Sequence, residues 1–114
     1  MQNSYDVATL IAVAEKVGAM NEELFEWDDG NIDHIAVHDV EPEEAEEVIL
    51  GDPLDTGFDV VDGEERWSYI GETNDGRILR ITITLRGKRM RVVTEFEPEK
   101  YWKAFYLEEK EGQQ

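Results

Sequence analysis

Two runs of alternating apolar and polar residues, Arg77–Leu85 and Arg89–Phe96, are separated by little more than Gly87-Lys88. Alternation over this length makes half-buried strands, and a glycine-led pair between them makes a two-residue hairpin turn of type I′ or II′. Such a turn sets the register: Arg86 faces Arg89, Leu85 faces Met90, Thr84 faces Arg91, Ile83 faces Val92 and Arg80 faces Glu95. One face of the hairpin then holds Leu79, Ile81, Ile83, Leu85, Met90, Val92, Thr94 and Phe96 and has to be buried. The other holds Arg80, Thr82, Thr84, Arg86, Arg89 and Arg91.

The period of two begins at Leu54. Leu54–Val61 and Trp67–Glu72 are further strands, bounded by the turn clusters Asp62-Gly63 and Asn74-Asp75-Gly76. Before Leu54 the pattern is helical. Val7, Leu10, Ile11, Ala14 and Val17 form one stripe that Gly18 closes, and Ile32, Ile35 and Ala36 form a second that ends near Asp39. Pro42 opens a third helix with Glu43 and Glu44 in its first turn, Ala45, Val48 and Ile49 inward, and Gly51-Asp52-Pro53 as its stop. Leu24-Phe25-Glu26-Trp27 reads as a short strand. Pro98 opens a last helix with an aromatic stripe, Tyr101, Trp102, Phe105 and Tyr106, to lie over the sheet. The predicted fold class is α+β: N-terminal helices, an antiparallel β-meander, and a C-terminal helix covering it. The 114 residues make a single domain, with residues 1–24 an extra N-terminal helix and residues 107–114 a frayed tail.

The formal charge is −17, yet it is polarised. Met1–Glu65 carries 20 acidic residues and one basic residue, Lys16, whereas Arg66–Arg91 carries seven basic residues against Glu72 and Asp75. An acidic chain is repelled by phosphate backbones at long range, but the local excess of +5 restores nucleic acid as a ligand. The acidic half suits a basic protein surface, or a source with a salty interior. The chain has no cysteine, which excludes disulfides, thiol chemistry and zinc–cysteine sites. No apolar run reaches 18 residues, and Met1–Val17 lacks a basic stretch ahead of its apolar one, so the expected location is cytoplasmic, with no membrane partner.

Arginines and threonines on one sheet face suit a phosphodiester, because guanidinium groups fork onto phosphate oxygens and neutralise charge developing at phosphorus. The same pattern also keeps an exposed sheet from self-pairing. His34 and His38, at i and i+4, share a helix face and could serve as acid and base near neutral pH, or simply pack the helix junction. There is no His-Glu-x-x-His pattern, and no metal or other cofactor is expected.

Phe25-Glu26-Trp27-Asp28, Asn31-Ile32-Asp33-His34-Ile35, His38-Asp39-Val40 and Glu43–Val48 resemble the BrnT family of toxins, as do Glu65-Arg66-Trp67, Ile70-Gly71, Asp75–Leu79 and Arg91–Thr94. The likeness runs in order over residues 25–106. It implies a RelE-like fold, metal-independent endoribonuclease activity on RNA, and a cognate antitoxin as protein partner. Residue by residue, it implies charge stabilisation by Arg77 and Arg91, acid–base work by His38 or Tyr106, and substrate contacts from Arg66 and Thr94, beside Arg80 and Arg89 of the basic face. The sequence departs from the family where Ser or Thr, Ala and Arg usually end the last strand: here Thr94 precedes Glu95 and Phe96. The glycine usual after the second histidine is Asp39, and the basic residues usual in the first helix are absent. The departures imply weakened activity, or a catalytically inactive binding protein whose acidic surface meets a basic partner as a nucleic-acid mimic. An enzyme should bring Arg66, Arg77 and Arg91 to one open concavity.

Overall fold

The computed structural model of the protein describes residues 6–96 and 98–112. The outermost residues of both ends, Gln113 and Gln114 of the expected tail among them, lie outside the described residues, as do the side chains of Glu95 and Phe96. Among the described residues four helices precede the sheet: α1 (Val7–Val17), α2 (Asn21–Leu24), α3 (Asp29–Ala36) and α4 (Pro42–Leu50). Four strands follow, β1 (Leu54–Val61), β2 (Glu64–Glu72), β3 (Ile78–Arg86) and β4 (Arg89–Phe96), and then α5 (Lys100–Gly112). The strands form one antiparallel meander in the order β1-β2-β3-β4, so the α+β expectation holds.

Both tight hairpins have the backbone their residues favour. Asp62 and Gly63 both take positive φ (52° and 81°), the requirement of a type I′ turn, while Gly87 alone is positive (63°) in the Gly87-Lys88 turn, as type II′ demands. The pairs from Arg86↔Arg89 to Ile83↔Val92 are the expected ones. Beyond them a bulge at Thr82/Ile83 inserts Val93, so that Thr82 pairs with Thr94, Ile81 with Glu95 and Arg80 with Phe96. The expected Arg80–Glu95 pairing is therefore corrected by one residue. Because a one-residue slip turns each following side chain to the opposite face, Thr94 leaves the buried face and joins Thr82 on the other.

The main core lies between the sheet and the N-terminal helices. Leu79, Ile81, Ile83, Met90 and Val92 are fully buried against Val7, Leu10, Phe25, Ile35, Val40, Ala45, Val48 and Ile49. Gly71 lets α4 approach β2: a Cβ there would stand 3.0 Å from Val48 Cγ1 and 3.1 Å from Pro53 Cβ. Three expectations change in detail. Leu24–Trp27 is not a strand; α2 is a one-turn helix, after which Phe25 makes a single parallel bridge to Met90 and the Glu26 amide donates to the Met90 carbonyl at 2.8 Å. This segment covers the outer edge of β4. In α3 the buried residues are Asn31 and Ile35 rather than Ile32 and Ala36, because the Asn31 amide donates to the Glu26 carbonyl at 2.9 Å and caps the helix through Asp28. Helix α5 continues through Gly112, where Lys110 reaches the Asp52 carbonyl at 2.8 Å.

Alternation along β2 places Trp67 and Tyr69 against the main core and Arg66, Ser68, Ile70 and Glu72 on the opposite face. Ile70 is fully buried yet stands apart from the main core, beneath α5, whose Tyr106 is also buried. The other members of the aromatic stripe stay at least partly exposed. Helix α5 thus covers one end of the outer face and leaves the rest open.

Candidate functional site

The open part of that outer face is a concavity of about 490 Å³. Its floor and walls are Arg66 and Ser68 of β2, Arg80 and Thr82 of β3, Thr94 of β4, and Thr56–Asp59 and Val61 of β1. Ser68 and Thr82, opposite each other in the register, share a hydrogen bond of 2.8 Å. Arg80 is held in place on two sides. Its Nε donates to Thr56 Oγ1 at 3.2 Å, and its guanidinium carbon lies 4.8 Å from the centre of the Trp102 ring. A guanidinium fixed by its Nε and stacked on a ring presents its terminal nitrogens without further ordering, and stacking of this kind is a cation–π attraction. Arg66 donates to Glu64, 2.9 Å away, and stands opposite Asp59. Two arginines, four hydroxyls and one carboxylate thus surround a space open to solvent, a polar surface suited to an anion that also has a proton to lose.

The remaining residues expected at a site lie elsewhere. Arg77 precedes β3 in phase with Leu79 and Ile81, so it emerges on the helix-covered face. Its Nη1 donates to the Asp39 carbonyl at 2.7 Å and to Glu44 at 3.3 Å, and its Nη2 to the His38 carbonyl at 3.4 Å. It ties the turn after α3 to α4. The His38 side chain is exposed in that turn, edge-on to His34 with ring centres 6.3 Å apart. Asp39 takes φ 59°, a left-handed conformation that glycine would adopt without a Cβ penalty.

Arg91 pairs with Thr84, one step along β3 from the concavity, but turns to the β4 edge. There it donates to both Asp28 oxygens at 2.8 and 3.0 Å and to Glu26 at 3.1 Å. The guanidinium hydrogen bonds, together with the Asn31 amide, hold the Asp28 carboxyl down to about 2, while the carboxylates push the Arg91 pKa up. Arg89 donates to the Glu22 and Phe25 carbonyls at 3.0 and 2.6 Å, and Arg86 reaches Glu26 at 3.5 Å. The acidic first half of the chain is thereby the internal counter-charge of much of the basic second half.

Tyr106 is buried where α5 covers the outer face, away from the concavity, and there burial first and a hydrogen bond with Glu72 second raise its pKa to about 12. Its phenol stays protonated across the neutral range. The structure therefore gathers Arg66, Arg80 and Thr94 and sets Arg77, His38, Arg91, Arg89 and Tyr106 at other places, so the convergence of Arg66, Arg77 and Arg91 expected of an enzyme is corrected to one of Arg66 with Arg80. Sequence reading passed over Asp59, Thr56 and Ser68, whose only signal is outward phase on β1 and β2, and the β1 bulge between Asp55 and Gly57 blurs even that.

No helix among the described residues is long and apolar enough to cross a membrane, and no group of three or more histidine, aspartate or glutamate side chains among them is placed to hold a metal ion.

An arginine- and hydroxyl-lined concavity on an antiparallel sheet is a surface whose donors suit phosphate oxygens. Residues 27–95, well over half of the chain, match the ribonuclease toxin BrnT of type II toxin–antitoxin systems, and the protein belongs to that family. The matched stretch includes Asp28, β1 to β3, β4 as far as Glu95 and every residue of the concavity. No curated protein matches the chain.

Proposed function

We propose that the protein is an endoribonuclease toxin that cleaves RNA without a metal ion, and that the scissile phosphate sits in the outer-face concavity. The observation that carries this reading is the joint placement of Arg66 and Arg80 around one open space lined by hydroxyls. Metal-free cleavage needs the 2′-hydroxyl deprotonated, the charge on the phosphorane neutralised and the leaving 5′-oxygen protonated. Arg66 and Arg80 neutralise the phosphorane, and Thr94 and Thr82 position its oxygens. Asp59, opposite Arg66, accepts the 2′-hydroxyl proton as the 2′-oxygen bonds to phosphorus. Water, which reaches this open face, gives a proton to the departing 5′-oxygen.

In this reading Arg77 is a positioning residue that holds the His38 turn. Arg91, braced by Asp28 and Glu26, holds the α3 end against β4 and meets RNA only at its rim. A type II toxin also has a cognate antitoxin, which is the expected protein partner of this chain. The test is incubation of the purified protein with labelled single-stranded RNA in a metal chelator. Products ending in 2′,3′-cyclic phosphate support the reading, with a loss of ~10²–10³ in rate for Arg66→Ala. Intact RNA, or cleavage that a 2′-deoxy substitution at the cut leaves unchanged, overturns it.

A further inference from the structure

The two edges of the sheet are treated differently. Phe25 and Glu26 cover β4, whereas no described residue pairs with the outer edge of β1. The Asp62-Gly63 turn makes Val61 and Glu64 the hydrogen-bonded pair that closes the hairpin, so alternate residues Phe58 and Val60 direct their backbone N–H and C=O groups away from β2. The Val60 amide accordingly donates to its own neighbour, Asp59 Oδ1, at 2.8 Å. The side chains at these positions are apolar and open, with Phe58 55% and Val60 52% exposed. Around them stand Asp55, Asp59, Asp62 and Glu65, four carboxylates besides Glu64, which Arg66 pairs, with no basic residue in the sequence between Leu54 and Glu65.

We propose that the free edge of β1 takes an extended, lysine- or arginine-rich segment of a partner protein as a fifth strand. Outward-facing edge groups supply the main-chain hydrogen bonds of strand addition, the Val60 amide giving up Asp59 Oδ1 for the new strand, Phe58 and Val60 supply apolar contact, and the carboxylates select a basic sequence. A second copy of this chain is disfavoured, because pairing two β1 strands brings two acidic edges together and, with Phe58 opposite Val60, sets Asp59 opposite Asp59. RNA is disfavoured by the same charge. Since Thr56–Asp59 and Val61 form a wall of the concavity, the docked segment would lie along its rim. That consequence rests on the proposed function, whereas the docking itself does not.

The test uses a synthetic ten-residue peptide alternating valine with lysine, and a second with glutamate in place of lysine. Amide exchange is followed residue by residue in the full chain. The lysine peptide is expected to bind and to slow exchange at Phe58 and Val60 by ~10-fold or more, the glutamate peptide to leave both unchanged. Val60→Pro removes an outward N–H, which edge strands tolerate, and is expected to abolish binding with the circular dichroism spectrum retained. Should that variant not fold, the double substitution Asp55→Lys, Asp62→Lys is expected to transfer preference to the glutamate peptide. No binding, equal binding of the two peptides, or binding without protection of Phe58 and Val60 overturns the proposal. So does protection of those amides that rises with protein concentration alone, which would mark a second copy. RNA cleavage by Val60→Pro, measured in parallel, separates this proposal from the ribonuclease reading: docking lost with cleavage kept refutes neither, and docking absent from the wild type with cleavage kept refutes only the proposal.

Discussion

Arg80 is the residue at which the phosphate-binding reading can be tested most quantitatively. Its guanidinium is fixed by Thr56 Oγ1 at 3.2 Å and by the Trp102 ring at 4.8 Å, so its charge is pre-placed in the concavity. For single-stranded nucleic acid each neutralised phosphate contributes ~0.7 to the slope of log affinity against log salt. If Arg80 neutralises one, Arg80→Ala lowers the slope by ~0.7, and over a fourfold rise in salt the wild type loses about 2.6-fold more affinity than the variant. Arg80→Lys makes a different prediction. It keeps the charge, and so the slope, but gives up the fixed geometry, the stacking and the Nε hydrogen bond, worth together about 1–2 kcal/mol, or roughly 5- to 30-fold in affinity. Fluorescence anisotropy of a labelled single-stranded RNA, titrated at several salt concentrations, reads both effects. An unchanged slope in Arg80→Ala, or an Arg80→Lys variant that binds as tightly as the wild type, would refute the reasoning.

Three further outcomes concern the frame that holds the site. Gly71→Ala brings a Cβ to 3.0 Å from Val48 Cγ1 and should destabilise by about 1–3 kcal/mol in urea unfolding. Adding Val48→Ala should recover part of that loss, and strict additivity would argue against the contact. Asp39→Gly should stabilise by up to about 1 kcal/mol, since φ 59° costs an L residue but not glycine; a lower melting temperature would contradict this. Tyr69 and Tyr106 both have pKa values raised from 10.0 to about 12, chiefly by burial. Because the unfolded chain ionises first, their stabilising effect is complete below pH 10 and is lost as pH rises from 10 towards 12. The urea midpoint should fall across that window, and a double Tyr→Phe variant should fall less.

Much of the fold was legible because alternation and turn chemistry are local. The bounds of β1 and β4, and the pairs near Gly87-Lys88, follow from apolar phase and a glycine that accepts positive φ. The bulge at Val93 was not legible, since nothing in Arg-Val-Val-Thr distinguishes a regular strand from one that slips by a residue. It decides the site, because it brings Thr94 to the face of Arg80. Phe25-Glu26-Trp27 has strand-like residues, yet only a single bridge forms, because Glu26 and Asp28 are turned to Arg91 at the end of α3. The charge pattern was legible as a polarity of the chain, but its folded meaning was not. Carboxylates at positions 26, 28 and 44 meet arginines 33 to 65 residues away, and such partners are chosen by tertiary packing. For the same reason the arginines that the resemblance singled out, Arg66, Arg77 and Arg91, divide between the two faces of the sheet although they lie in one basic stretch.

That division permits the most direct measurement of the central claim, that RNA is cut on the outer face. Single-turnover cleavage rates would be compared for Arg66→Ala and Arg80→Ala on that face and for Arg77→Ala and His38→Ala on the helix-covered side, each with its melting temperature. The account requires losses of ~10²-fold or more for the first pair and rates within a few-fold of wild type for folded members of the second. Unimpaired cleavage by Arg66→Ala and Arg80→Ala, with loss in folded Arg77→Ala or His38→Ala, would place the chemistry at the turn between α3 and α4 and contradict the account.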